Sequence, residues 1–263
     1  MEDIFEEIIR LKRKGERAAL ATVTMTKGST PREQGAKMLV KSDGTIVGSV
    51  GGGSLELEVC KEAIKVIAEG KAKVLHFDLT GREAAEIGMV CGGVMDVFIE
   101  PIGPPPTLYI FGGGHISLSL AKIGKMLEFR VVVIDDSPEF ANRERFPEAD
   151  EILVRDFGSV YPQLEINEPS YIVIVTRGHL SDEMVLEQAL KTNALYIGMI
   201  GSKKKIKTVY SHLQSRGISK EVLQKVHAPI GLEISAETPE EIAVSILAEI
   251  IKVKRTSQVP HSK

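Results

Sequence analysis

The chain has six histidines, and two of them stand where a strand should end. In "YIFGGGHIS", His115 follows an apolar run and the glycines Gly112, Gly113 and Gly114; in "YIVIVTRGHLSD", Arg177 and His179 follow another apolar run. An imidazole at such a place can move a proton or ligate a metal, and a guanidinium can hold an anion. An isolated histidine more often caps a helix or bonds a carbonyl, so the pair signifies a site only if the fold brings both to one crevice. A zinc ion would need a third ligand of matched geometry, for which Asp136 and Asp182 are candidates, although no spacing motif requires one.

Glycines supply the second kind of chemistry. Gly112-x-Gly114-x-x-Ser117 lies between a strand and a helix, and Asp135 and Asp136 end the next strand. In a dinucleotide fold such glycines allow a tight turn and close approach to a pyrophosphate, and the acid binds ribose hydroxyls. Ser117 departs from that pattern, which wants a third glycine. The bland alternative is that the glycines only let strand and helix meet. In "MIGSKKK", Gly201, Ser202 and Lys203 offer a helix N-terminus, a hydroxyl and an ammonium as a phosphate anchor, or else a capped helix with a solvated basic face.

The N-terminal half has its own cluster. "GSTPREQG" contributes Ser29, Thr30 and Arg32, "GSVGGGSLELE" contributes Gly51, Gly52 and Gly53, and "GMVCGG" contributes Cys91 and Gly92. Permissive backbone offers N–H donors, and the Arg32 fork suits phosphate or carboxylate. Cys91, in a loop, is a soft metal ligand, a nucleophile or a small buried residue. Cys60, in "LELEVCKEAIKVIA", falls on the packed face of a helix.

The elements that must position these groups fall into two patterns. Residues 2–14 read as an amphipathic helix, "RAALATVTM" as a strand, and "AKMLVKSDGTIVGSV" as two strands turning at Asp43-Gly44. A helix over 54–69 and the strands "AKVLHFDL" and "VMDVFIE" complete an α+β N-terminal domain, 1–103. "PIGPPPT", from Pro101 to Thr107, reads as a linker. Beyond it, over 107–263, "LYIF", "RVVVID", "EILV", "YIVIV" and "LYIGMI" alternate with helix-length segments, the pattern of a Rossmann-like, doubly wound parallel sheet. Near-continuous apolar strands imply helices on both faces, and ligands then bind at the C-terminal strand ends. In "ETPEEIAVSILAEIIKV", Thr238, Pro239 and Glu241 make a capping box for a last helix. The fold class is α/β overall.

Bulk properties exclude some functions. A formal charge of -3 gives no electrostatic case for nucleic acid or an anionic membrane, and no apolar run approaches the roughly 20 residues that span a bilayer. The expected location is cytoplasmic. Two cysteines cannot build a disulfide framework or a four-thiolate zinc site.

Taken in order, "GSTPREQGAKMLV", "GSVGGGSLE", "GMVCGG", "FGGGHIS", "VIDDSPEFA", "VTRGH", "YIGMIGSKKK" and "PIGLEISAETPEEIAVSILAEI" resemble the XdhC/CoxI family, accessory proteins of molybdenum hydroxylases such as xanthine dehydrogenase. The resemblance spans nearly the whole chain. It implies an N-terminal XdhC/CoxI domain before the Rossmann-like one, and a molybdenum cofactor (molybdopterin) chaperone that supports sulfuration and insertion and is not itself a catalyst. The implied partners are a cysteine desulfurase and an apo molybdenum hydroxylase, with a homodimer as the expected assembly. The cofactor-binding set carried over is Ser29, Thr30, Arg32, Gly51, Gly52, Gly53, Cys91, Gly92, Gly112, Gly113, Gly114, His115, Asp135, Asp136, Arg177, His179, Gly201, Ser202 and Lys203, with Cys91 toward the metal, in a site between the two domains. Arg177 stands where the family commonly has His, and Ser235 where it has Gly. The competing readings are an NAD(P)-dependent oxidoreductase, with Asp135 and Asp136 favouring NAD, and a nucleotide-sensing module without chemistry.

Overall fold

A computed structural model describes residues 3–80, 92–166 and 169–256. The chain forms two compact units, Met1–Pro104 and Pro105–Lys263. Cys91 lies outside the described residues.

The first unit is an antiparallel sheet with helices. Helix α1 (Ile4–Arg13) precedes β1 (Ala18–Lys27), β2 (Lys37–Lys41) and β3 (Ile46–Gly48); α2 (Gly53–Glu69) precedes β4 (Lys73–Asp78) and β5 (Val94–Ile102). The strand order is β3-β2-β1-β5-β4. Inward residues alternate along the strands: Ala19, Ala21 and Val23 of β1 and Met95, Val97 and Ile99 of β5 pack with Leu55, Val59, Ala63 and Val66 of α2. On the other side, Leu11 of α1 is buried with Ala18, Leu20 and Leu39. Cys60 packs against the first of these cores, and burial together with the Glu56 carboxylate pushes its thiol up, away from a reactive thiolate.

One boundary differs from the sequence reading. Pro101 belongs to β5 and pairs with Ala19, so the expected linker shrinks to the four residues 103–106 between β5 and the next strand. The register explains how a proline is tolerated. Pairing with β4 ends at Ile99, so Pro101 lies on a stretch with no neighbour on that side, and its missing N–H breaks no ladder there.

The second unit is a parallel sheet of β6 (Thr107–Phe111), β7 (Arg130–Asp135), β8 (Glu151–Val154), β9 (Ser170–Ile174) and β10 (Tyr196–Met199), ordered β10-β9-β6-β7-β8. Its helices are α3 (His115–Met126), α4 (His179–Ala189), α5 (Lys203–Ser215), the short α6 (Lys220–Leu223) and α7 (Pro239–Thr256). Successive residues of β6 serve opposite cores. Leu108 and Ile110 pack with Leu120 of α3 and Ile246 of α7, whereas Tyr109 and Phe111 pack with Leu186 of α4 and Val209 of α5. The chain therefore leaves β6 toward one face and the adjacent β9 toward the other, which makes their C-terminal ends a topological switch point. A parallel bridge between Gly198 and His227 adds the start of a sixth strand beside β10, so the loop after it also reaches the C-terminal edge. Among the described residues, no helix is long and apolar enough to cross a membrane.

Candidate functional site

The C-terminal edge of the parallel sheet carries the second unit's candidate residues. Gly112 to His115 follow β6, Asp135 and Asp136 end β7, Arg177 and His179 follow β9, and Gly201 to Lys203 follow β10. His115 and His179 are the first residues of α3 and α4, both exposed. The two histidines thus flank the switch point, as the sequence reading required.

The glycine turn after β6 is shaped largely by internal packing. Gly112 has φ +110°, and a Cβ there would lie 2.4 Å from the Val175 carbonyl oxygen. A Cβ on Gly113 would lie 2.5 Å from the Phe140 carbonyl oxygen. Only Gly114 faces open space. Ser117, which fills the third glycine position, is buried and donates its hydroxyl to the Gly112 carbonyl, so the departure from the fingerprint is absorbed by a hydrogen bond within the turn.

The acids have partners within the chain. Buried Asp135 accepts from Gly113 N–H at 2.7 Å on one oxygen, and on the other from Ser137 N–H and from Arg177 at 2.9 Å. The same Arg177 nitrogen reaches Asp136 at 2.7 Å, and its guanidinium lies over the Phe140 ring, 3.9 Å from the centroid. Arg145 donates to the Gly113 carbonyl at 3.0 Å, and its Nε is buried without a hydrogen-bond partner among the described residues. Where a ribose contact was expected of Asp135, the structure thus has a four-way lock of glycine turn, acid, arginine and phenylalanine.

The "TRGHLSD" loop is tied down from below. Asp182, fully buried on α4, accepts from the Thr176 hydroxyl at 2.6 Å and the Thr176 N–H at 3.2 Å, and pairs with Lys205 of α5. It is not available as a zinc ligand, Asp136 is paired with Arg177, and no group of three or more candidate metal ligands occurs among the described residues. Ser202 caps α5 by accepting from Lys205 N–H, while Lys203 is exposed.

Within the second unit, the helix N-termini at the switch point differ from the others; in the first unit α2 likewise starts at a glycine, Gly52, without a side-chain cap. Asp3, Ser202, Ser219 and Thr238 cap α1, α5, α6 and α7 with their side chains, the last as the expected capping box with Glu241. The N-caps of α3 and α4 are Gly114 and Gly178, neither with a side-chain cap, and a Cβ on either would meet nothing within 4 Å. The first turns of both helices, which begin at His115 and His179 near Arg177, thus carry N–H groups without a side-chain cap, a donor set suited to an anion.

In the first unit the loops do cluster. A Cβ on Gly51 would lie 2.8 Å from Pro31 Cγ, and one on Gly93 would lie 2.4 Å from the Ser29 carbonyl oxygen. The loop with Ser29, Thr30 and Arg32 is thus flanked by the 49–53 loop and by Gly92-Gly93, next to Cys91 in sequence. Arg32 and Ser29 are exposed, and the Thr30 hydroxyl donates to the Arg32 carbonyl. Gly51 and Gly52, expected to donate to a ligand, donate to Glu56 instead. One Glu56 oxygen accepts from Val50, Gly51 and Gly52 N–H and from the Ser49 hydroxyl. Burial pushes this carboxyl up, but the Ser49, Gly52, Gly51 and Val50 hydrogen bonds outweigh it and hold the group below its ordinary value. Sequence reasoning missed Glu56, Phe140 and Arg145. A signal existed only for Glu56, an acid placed to reach back over the first turn of a glycine-started helix.

Fold and edge together define a Rossmann-type α/β unit with an anion-suited switch point, preceded by an antiparallel α+β unit with a glycine-loop cluster. Residues 108–250 match the XdhC Rossmann domain, and residues 11–78 match the XdhC and CoxI family. The chain belongs to the XdhC and CoxI family. Among its relatives, an uncharacterized protein of Escherichia coli K12, YqeB, is 34% identical over 97% of this chain; the chain spans about half of that protein, 47% of its length. A Bacillus subtilis 168 protein described as a probable xanthine dehydrogenase component is 24% identical over 91% of this chain and 94% of its own length. The molybdenum cofactor insertion chaperone PaoD of Escherichia coli K12 is 22% identical over 91% of this chain and 84% of its own. A crystal structure described as a xanthine dehydrogenase from Bacillus halodurans, 24% identical, superposes with a TM-score of 0.55, covering 98% of this chain and 97% of the other, a likeness of fold.

Proposed function

We propose that this protein is a molybdenum cofactor chaperone, which binds the cofactor and delivers it to a molybdenum hydroxylase of the xanthine dehydrogenase kind. The observation that carries the reading is the pair of glycine-capped helix ends, α3 and α4, at the switch point, in a family whose relative PaoD is named for cofactor insertion. The fit rests on donor chemistry. The cofactor is a phosphorylated pterin dithiolene that brings a molybdenum centre to its client. Its phosphate suits the open N–H groups after Gly114 and Gly178, with His115, His179, Arg177, Ser202 and Lys203 around them. Gly112 and Gly113 shape that turn, and Asp135 and Asp136 hold Arg177 in place. In the first unit, Ser29, Thr30 and Arg32 beside Gly92 offer polar contacts for the same cargo, Gly51, Gly52 and Gly53 support them, and Cys91 is the soft ligand assigned to the metal.

Sulfuration of the bound cofactor through a cysteine desulfurase and a homodimeric, cytoplasmic chaperone are the further parts of this proposal. The test is anaerobic binding of freshly released molybdenum cofactor. We expect retention that falls in Cys91→Ser and in Arg32→Ala with unfolding midpoints unchanged. Absence of retention by the intact chain refutes the chaperone reading, and unchanged retention in both variants removes the first unit's loops from the site.

A further inference from the structure

We infer that Arg177 is a specificity-determining residue that closes the second unit to dinucleotides. In a dinucleotide-binding sheet the glycine turn after the first strand receives the pyrophosphate, and the acid ending the second strand receives the ribose hydroxyls. Here the acid of the second strand is turned back on the glycine turn and on Arg177. The Gly113 N–H is spent on Asp135 at 2.7 Å, and both oxygens of that buried carboxylate are occupied. Asp136, the remaining exposed acid at the strand end, is held by Arg177 at 2.7 Å.

The space above the turn is also taken. The Phe140 carbonyl lies against Gly113, so close that a Cβ there would sit at 2.5 Å. The Phe140 ring lies under the Arg177 guanidinium at 3.9 Å and beside Arg145 at 5.7 Å. A planar cation over an aromatic face, anchored at its other edge by two carboxylates, is a rigid assembly rather than a loose surface arginine. Admitting a ribose hydroxyl at Asp136 requires breaking the Arg177–Asp136 pair.

What Arg177 closes is the ribose position; the helix starts after Gly114 and Gly178 carry no side-chain cap. This inference rests on the sheet-edge part of the proposed function, the assignment of the β6–β9 crevice as the ligand site. It is independent of the cargo being molybdenum cofactor.

The experiment is calorimetric titration of ADP-ribose and of NAD into the intact chain and into Arg177→Ala, Arg177→Gln and Arg177→Lys, each checked by thermal melting. The expected result is no binding of either probe by the native protein or by Arg177→Lys, which keeps a cation between the acids. Arg177→Ala and Arg177→Gln free Asp136 to accept from a ribose, and we expect affinity for ADP-ribose to rise by about tenfold to a hundredfold, the range of one hydrogen bond to a charged group. Binding of NAD or ADP-ribose by the native chain overturns the inference, whether or not any variant folds. Folded Arg177→Ala or Arg177→Gln protein with no gain also overturns it. Cofactor retention is measured separately, so a failed chaperone reading with the expected nucleotide pattern leaves the role of Arg177 standing.

Discussion

Removing the Asp182 carboxylate tests whether the loop that carries Arg177 and His179 is held by the ion pair beneath it. Asp182 is fully buried, receives the Thr176 hydroxyl and N–H, and pairs with Lys205, whose side chain is 26% exposed. Breaking a buried pair by removing one partner costs about 3–5 kcal/mol, because the other charge is left uncompensated. Lys205 retains some access to water, which lowers the cost, whereas the buried Thr176 N–H loses its acceptor, which restores part of it. The net expectation for Asp182→Ala is a loss of about 2–4 kcal/mol. At about 2–4 °C per kcal/mol for a unit of this size, the midpoint falls by roughly 4–16 °C. Urea denaturation should show the same loss as a lower midpoint with an unchanged slope. In a cycle with Lys205→Met, the double variant should lose less than the sum of the two single ones. Amide exchange at Gly178, His179 and Leu180 should rise before exchange elsewhere in the second unit. A change in stability below about 0.5 kcal/mol, the usual range for a surface substitution, would refute the assignment of Asp182 as the anchor of this loop.

Two further predictions concern glycines and acid. Gly112→Ala places a Cβ 2.4 Å from the Val175 carbonyl at φ +110° and should destabilise the second unit strongly, whereas Gly114→Ala meets nothing within 4 Å and should cost no more than about 1 kcal/mol. Equal melting points for the two variants would contradict the packing account, and loss of cofactor retention in Gly114→Ala alone would mark the α3 N-terminus as the ligand's contact. For Glu56 the folded carboxyl sits below its ordinary value, so its contribution is present above the unfolded pKa of about 4.3 and is lost as pH falls through the lower folded value. Stability of the native chain should therefore drop below about pH 4.5, and Glu56→Gln, less stable at pH 7, should show a shallower drop; parallel pH curves would remove Glu56 as a contributor.

The strands and most helices were legible because each carries a period that only one geometry satisfies. β6 alternates between two cores, α7 announces itself with Thr238 and Glu241, and Asp43-Gly44 marks the β2–β3 turn. Two features were not legible for physical reasons. Pro101 reads as a strand breaker until the register shows that its free edge has no neighbour, and that depends on where β4 stops. The partial sixth strand, joined at His227, is a short run ending in proline, and only its bridge to Gly198 in β10 defines it. The site divided in the same way. Sequence placed His115 and His179 just beyond the C-terminal ends of two strands that prove adjacent, because strand order and chain direction fix where loops emerge. It did not foresee that Phe140 and Arg145 fold over the glycine turn, since nothing in "DDSPEFANRER" has a period.

Glycine patterns specify backbone conformation, and what fills the resulting concavity is decided by which acid can reach it. In this chain two such turns are filled from within. Glu56 receives the donors of Val50, Gly51 and Gly52, and Asp135 receives that of Gly113. A carboxylate on the same chain is present at high effective concentration and arrives already oriented, so a phosphate in free solution would have to displace it at the cost of leaving a partly or wholly buried charge unpaired. The helix ends after Gly114 and Gly178 carry no side-chain cap, and Asp182 in the first turn after Gly178 is engaged by Thr176 and Lys205. The residues most like a nucleotide fingerprint thus serve the fold, and the less conspicuous helix ends beside them are where the proposed function puts its ligand.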